Sequence, residues 1–195
     1  MILYLIHKIA PLRTWYFRHA GRKYMHRKLA PFLQHLPKGA RILDIGSGGG
    51  LAVAVLRELG MEVVPLDIMD GAYDATVTPV VYDGKQIPFN DKSFDAALLL
   101  TVLHHIDDPD PVLLEAARVA KRVMIIEDIY SNALQRYLTY AADSLVNACY
   151  APCPHTNLSD AGWKTLFQKM ETTLEFSHYR TLAGIFRQAY YVIRT

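Results

Sequence analysis

The stretch Arg41-Ile-Leu-Asp-Ile-Gly-Ser-Gly-Gly-Gly50 constrains this chain more than any other. Ile42, Leu43 and Ile45 form the short apolar run that a buried strand needs, with Asp44 set inside it. Four of the five residues after Ile45 are glycine, and Leu51 to Leu59 carries the spacing of a helix. A strand that turns through glycines into a helix lets a ligand approach bare backbone at a helix N-terminus.

The order of residues narrows the ligand. A dinucleotide fingerprint begun at Gly46 needs a glycine where Leu51 stands, and no lysine follows the glycines as a phosphate-binding Walker loop demands. The pattern that fits is Asp-x-Gly-x-Gly-x-Gly, Asp44 to Gly50. An acid ahead of the loop repels phosphate and attracts an ammonium group. That favours a phosphate-free zwitterion such as S-adenosylmethionine, which is cationic at its amino group and its sulfonium. Gly60 reads as the helix stop, and Glu62-Val-Val-Pro-Leu-Asp67 as a second strand ending in an acid. Asp67 lies about 20 residues past the loop, where a carboxylate accepts hydrogen bonds from both hydroxyls of a ribose.

A third segment follows: Asp83-Gly84, then Ile87-Pro-Phe-Asn-Asp-Lys-Ser-Phe-Asp95, a strand Phe94–Leu100, and Val102-Leu-His-His-Ile-Asp-Asp-Pro109. With these motifs the chain resembles the class I S-adenosylmethionine-dependent methyltransferases, and most of all the small-molecule group that includes the ubiquinone and menaquinone methyltransferases. The resemblance covers residues 38–129 well and the rest loosely. It implies an α/β fold: a Rossmann-like seven-stranded, mostly parallel sheet with helices on both faces and a C-terminal antiparallel hairpin. The chain then reads as a single domain over 1–195. Within it lie an N-terminal helical cap (1–37), a cofactor-binding core (38–129), an inserted acceptor-pocket segment (130–158), and a closing helix and hairpin (159–195).

The resemblance also implies roles. Gly46, Ser47, Gly48 and Gly50 would lie under the methionine and ribose parts of S-adenosylmethionine, and Asp44 would orient the amino group. Asp67 would hold the ribose hydroxyls, with Ile68 against the adenine. Asp83 would accept from the adenine amino group beside the Gly84 amide. Thr101 would contribute backbone near the methionine end. His104 and His105 read as packing between strand and helix, with a catalytic role as the lesser alternative.

Composition sets bounds. A chain of 195 residues suits one domain with a full core. Cys149 and Cys153 are too few for a disulfide scaffold, and their spacing lacks the further partners of a zinc site, which points to a reducing, cytoplasmic setting. The apolar run Met1–Ile6 ends at Lys8 and Pro11, too soon for a cleavable leader or a bilayer span. Residues 1–43 carry nine Lys/Arg and no acid, whereas the other 152 residues carry 12 Lys/Arg and all 19 acids. This arm reads as a short apolar helix, a break at Pro11, and an amphipathic helix to about Leu36. Three roles are open to it: a cap over the cofactor pocket, peripheral contact of residues 1–41 with an anionic membrane surface, and nucleic-acid binding, the least favoured.

The later chain supplies a helix from Val112 to Ala120, a strand Arg122–Glu127, an amphipathic helical stretch from Leu134, a helix Ala161–Lys169 after Ser159, and strands Thr173–Tyr179 and Phe186–Ile193. The acceptor pocket should draw on Glu127, Asp128, Tyr130, Arg136 and Tyr140, with His105 as a further lining residue and His155 as the preferred general base. No metal is expected, since Leu100-Thr101-Val102 stand where a second metal-binding acid would be needed. The expected function is methyl transfer from S-adenosylmethionine to a small, lipophilic acceptor by in-line displacement in a dry pocket. An RNA or protein methyltransferase, or a non-catalytic S-adenosylmethionine-binding partner protein, are the alternatives. The sequence leaves the acceptor and the oligomeric state open.

Overall fold

The computed structural model describes residues 9–147 and 154–195; the apolar run Met1–Ile6 and the cysteines Cys149 and Cys153 lie outside them. Seven strands form one sheet: β1 Arg41–Ile45, β2 Glu62–Asp67, β3 Val80–Val81, β4 Ala96–Leu100, β5 Arg122–Ile129, β6 Thr173–Leu182 and β7 Phe186–Arg194. Their order across the sheet is β3-β2-β1-β4-β5-β7-β6. The first five are parallel, while β7 runs antiparallel to both β5 and β6. Parallel strands are covered on both faces and so read as near-continuous apolar runs. Ala96-Ala-Leu-Leu-Leu100 is such a run.

Alternate side chains feed two cores. On one face Leu43, Ile45, Leu99, Val123 and Ile125 pack under α4 (Asp110–Val119) and α6 (Asp160–Lys169). On the other, Ile42, Leu98, Met124 and Ile126 pack under α2 (Arg22–Leu33) and α3 (Leu51–Glu58). Among the described residues the remaining helices are α1 (Ala10–Tyr16) and α5 (Ala133–Asn147), with a 3-10 turn at Leu103–His105. Among the described residues no helix is long and apolar enough to cross a bilayer.

The strand order reverses between β1 and β4. The crevice outside the carboxyl ends of strands at such a switch point is where open α/β sheets bind ligands. The glycine run leaves β1 there, and Thr101 leaves β4 beside it.

The arm departs from the sequence expectation. Pro11 sits in the first turn of α1, where its missing N–H costs nothing, so a helix starts at the expected break, and the short apolar helix expected before it lies outside the described residues. A further irregularity lies at Phe17–Gly21, one wide π turn that joins α1 to α2. α2 carries Pro31 inside it and ends at Leu33, short of Leu36. Phe94 precedes β4 as an isolated bridge to Ala120 rather than opening the strand. The hairpin strands run longer than their apolar pattern suggests, because β6 pairs with β7 out to Leu182–Phe186 past a register shift between Leu174 and Phe176.

Candidate active site

β1 is buried along most of its length, and Asp44 is carried inside with it, 2% exposed. Burial, then repulsion from Asp67, pushes its carboxyl up to about 7, against the pull of the Lys28 ammonium. Its Oδ2 has no hydrogen-bond partner, and neither has the hydroxyl of Ser47 three residues further on. Both residues line a cavity of about 200 Å³ with Tyr16, Gly46, Gly49 and Tyr73. Two orphaned buried acceptors on one wall call for a donor from a ligand.

The glycines shape the rest of that wall. A Cβ on Gly46 would fall 2.7 Å from Val102, and one on Gly49 would fall 2.6 Å from the Tyr73 ring. At these two positions the loop is held between neighbours that leave no room for a side chain. Gly49 was not singled out by the sequence pattern, since it occupies a variable position of the motif. The loop is tied to β2 by Asp67, whose carboxylate accepts from the amides of Gly48 (2.8 Å) and Ile68 (2.7 Å). Each of those oxygens keeps a lone pair for a further donor. Ile68 is 63% exposed and stands 3.4 Å from a Cβ built on Gly84. Asp83 is exposed and accepts from the amides of Lys85 and Gln86, which holds its carboxyl below the usual range. Asp67, Ile68, Asp83 and Gly84 thus gather at the ends of β2 and β3, beside the loop.

A second cavity, of about 370 Å³, opens on the other side of Thr101. It is walled by Tyr24 of α2, His104 and His105, Asp128 of β5, Thr139 and Ala142 of α5, and Leu182, Phe186 and Gln188 of the hairpin. Lys28 and Thr101 line both cavities. Thr101 has φ +60°, and its hydroxyl accepts from Lys28 Nζ at 3.2 Å. Lys28 is 6% exposed, and burial lowers its pKa against the opposing pull of Asp128, Glu127 and Asp44. The sequence carried a signal for it: Met25, Lys28, Leu29 and Phe32 fall on one helical stripe, so the lysine interrupts an inward face.

Glu127 is fully buried, and both its oxygens are engaged. It accepts from the amides of Val102 (2.9 Å) and Leu103 (2.8 Å) and from the His104 ring (2.6 Å), so it fixes the turn after β4. Asp128 faces the second cavity, accepts from Gln188 at 3.0 Å, and is pushed up by burial. His105 is pushed down to about 4 by burial, then by the neighbouring His104, and presents a neutral ring to the cavity at pH 7.

The remaining sequence candidates are placed elsewhere. His155 lines neither cavity. It has φ +55°, pairs with Ser144 at 3.1 Å and stacks on Tyr140 at 4.6 Å between ring centres. Arg136 lies over the Tyr130 and Tyr137 rings at 5.7 and 5.3 Å. From α5 it is Thr139 and Ala142 that reach the cavity wall, whereas Arg136 and Tyr140 do not. Of the basic arm, Arg13 lies over the Tyr73 ring, Arg22 pairs with Glu58 and Lys28 is buried.

A family model described as a methyltransferase domain matches residues 43–124. The demethylmenaquinone methyltransferase of Corynebacterium glutamicum is 32% identical over 139 residues, 63% of this chain and 60% of that protein. A tRNA (carboxymethyluridine(34)-5-O)-methyltransferase of Xenopus tropicalis is 29% identical over 67% of this chain but only 24% of its own length. The chain thus spans between a quarter and three fifths of these relatives. Among solved structures, a putative methyltransferase from Bacillus halodurans superposes with TM-score 0.67 at 17% identity, covering 85% of this chain and 97% of that one. The matched stretch is a class I S-adenosylmethionine-dependent methyltransferase domain.

Proposed function

We propose that this protein transfers a methyl group from S-adenosylmethionine to a small, lipophilic acceptor. The observation that carries this reading is the pair of cavities that meet at Lys28 and Thr101. The first fits the cofactor. Asp44 Oδ2 and the Ser47 hydroxyl await donors there, and a cationic amino group supplies them. The neighbouring Asp67 keeps acceptor capacity for a pair of hydroxyls. The bound cofactor supplies a methyl group already activated by a positive sulfur, so the protein's task is alignment and exclusion of water.

The second cavity fits the acceptor. Leu182, Phe186, Ala142 and the Tyr24 ring give it apolar walls, while Asp128, Gln188 and His105 offer a few polar contacts for orientation. Its volume suits a bicyclic aromatic head rather than a polymer threaded through. The similarity to a demethylmenaquinone methyltransferase supports an acceptor of the quinol kind.

The test is a label-partition assay. The protein is incubated with methyl-labelled S-adenosylmethionine and either a reduced naphthoquinone, total RNA or total protein. Label in the organic extract of the naphthoquinol reaction is expected. Label confined to RNA or protein would overturn the small-molecule reading.

A further inference from the structure

We propose that Lys28 is the proton acceptor of the transfer: its amine, set where the two cavities meet, takes the proton that the methyl acceptor must lose. The proposal rests on the methyltransferase reading and goes beyond it by giving a chemical role to a residue of the basic arm.

Four observations carry it. Lys28 reaches both cavities, so its Nζ borders the place where methyl donor and acceptor must touch. It is buried, yet among the described residues no carboxylate lies within salt-bridge distance of it. Its hydrogen bond goes to the Thr101 hydroxyl, which itself donates to the Leu100 carbonyl and so can only accept from the amine. A neutral amine donating one N–H there keeps its lone pair for an incoming proton. Burial favours that neutral form.

The groups facing Lys28 set the balance. Asp44 comes from β1, Glu127 and Asp128 from β5, and Tyr24 from its own helix, with His104 and His105 across the second cavity. Glu127 is committed to backbone amides and His104, and His105 is neutral at pH 7. The three carboxylates draw a proton toward the amine, while a sulfonium beside it repels one. Charge is therefore exchanged in place. The acceptor's X–H bond breaks with its proton going to Nζ, and its electron pair forms the X–CH3 bond. The C–S pair stays on sulfur. One positive charge vanishes from sulfur as one appears on the ammonium, and the pocket's net charge is unchanged.

This is testable without knowing the acceptor. Lys28 should be neutral beside S-adenosylmethionine, whose sulfur is charged, and protonated beside S-adenosylhomocysteine, whose sulfur is not. Calorimetric titration of the whole chain with each ligand, in buffers of different ionisation enthalpy, reads the protons taken up. Binding of S-adenosylhomocysteine is expected to take up more protons than binding of S-adenosylmethionine, the excess approaching a whole proton per site. The affinity ratio of S-adenosylmethionine to S-adenosylhomocysteine should rise with pH, by up to about tenfold per pH unit for one coupled proton. In Lys28→Met both effects should disappear. Lys28→Arg, which keeps a permanent charge and the stem, should disfavour S-adenosylmethionine at every pH and serves where the methionine variant fails to fold. Binding of both ligands with a pH-independent ratio, or the same rise in Lys28→Met, would overturn the role of Lys28 and leave the methyltransferase reading standing. Binding of neither ligand to the unaltered protein would overturn both.

Discussion

Asp44 is held under opposed demands. Its carboxyl ionises near 7 in the folded protein and near 3.8 when the chain is unfolded, because burial and Asp67 disfavour the charge. The folded state thus binds this proton more tightly. Its contribution to stability is full at about pH 4 and below, and it declines as pH rises toward about 7. A shift of this size corresponds to at most about 4 kcal/mol lost by pH 8. Asp44→Asn should therefore stabilise the ligand-free protein at pH 8 and leave it nearly unchanged at acid pH, as urea denaturation at the two pH values will show. The same variant should bind S-adenosylmethionine more weakly, because an amide offers no charge to the cofactor's ammonium. Glu127 has the contrary character: both its oxygens are engaged inside the protein. Glu127→Ala would strand the Val102 and Leu103 amides in the core and remove the carboxylate that the His104 ring contacts, at a cost of about 3–5 kcal/mol in unfolding free energy. At this scale the sequence places Asp44 and the glycines at the end of β1, because their order is imposed by the local turn. It does not place His155, because where that ring lies depends on the path of the inserted segment.

The elements around the site divide labour between scaffold and cap. α2 is bound to the sheet by Leu29 and Phe32, and Phe32 packs edge-on against Tyr190 of β7 with ring centres 5.6 Å apart. Phe32→Ala should cost about 3–5 kcal/mol of stability, seen as a lower denaturation midpoint. α1 is turned onto the glycine loop by the π turn at Phe17–Gly21, which brings Tyr16 to the first cavity. Tyr16→Ala should leave stability within about 1 kcal/mol of the parent, yet weaken S-adenosylmethionine binding about fivefold. An unchanged affinity would mean that the arm caps nothing. Sequence periodicity located β1, β2 and α3 nearly to the residue, since a single short connection joins each pair. The arm was less legible. Its inward stripe contains Lys28, and a charged residue on a buried face defeats a pattern built on apolar spacing.

For the molecule as a whole, the switch point between β1 and β4 explains why the loop, Asp67, Asp83 and Thr101 converge although they are spread along the chain. That convergence was visible in the sequence because each lies at the carboxyl end of a recognisable strand. The second cavity was legible only in part: a pocket between the inserted segment and the N-terminal helices, with Asp128 and His105, was expected, but the share of the hairpin and the residues that α2 and α5 contribute depend on a mutual placement no local pattern encodes. Tyr24, Thr139, Leu182, Phe186 and Gln188 come together only in three dimensions. The direct test of the account is calorimetric titration of the purified chain with S-adenosylmethionine and S-adenosylhomocysteine, with NADH as the control. Micromolar binding of both adenosyl ligands and none of NADH is expected. Binding of NADH, or of no ligand, would contradict the assignment of the first cavity to S-adenosylmethionine.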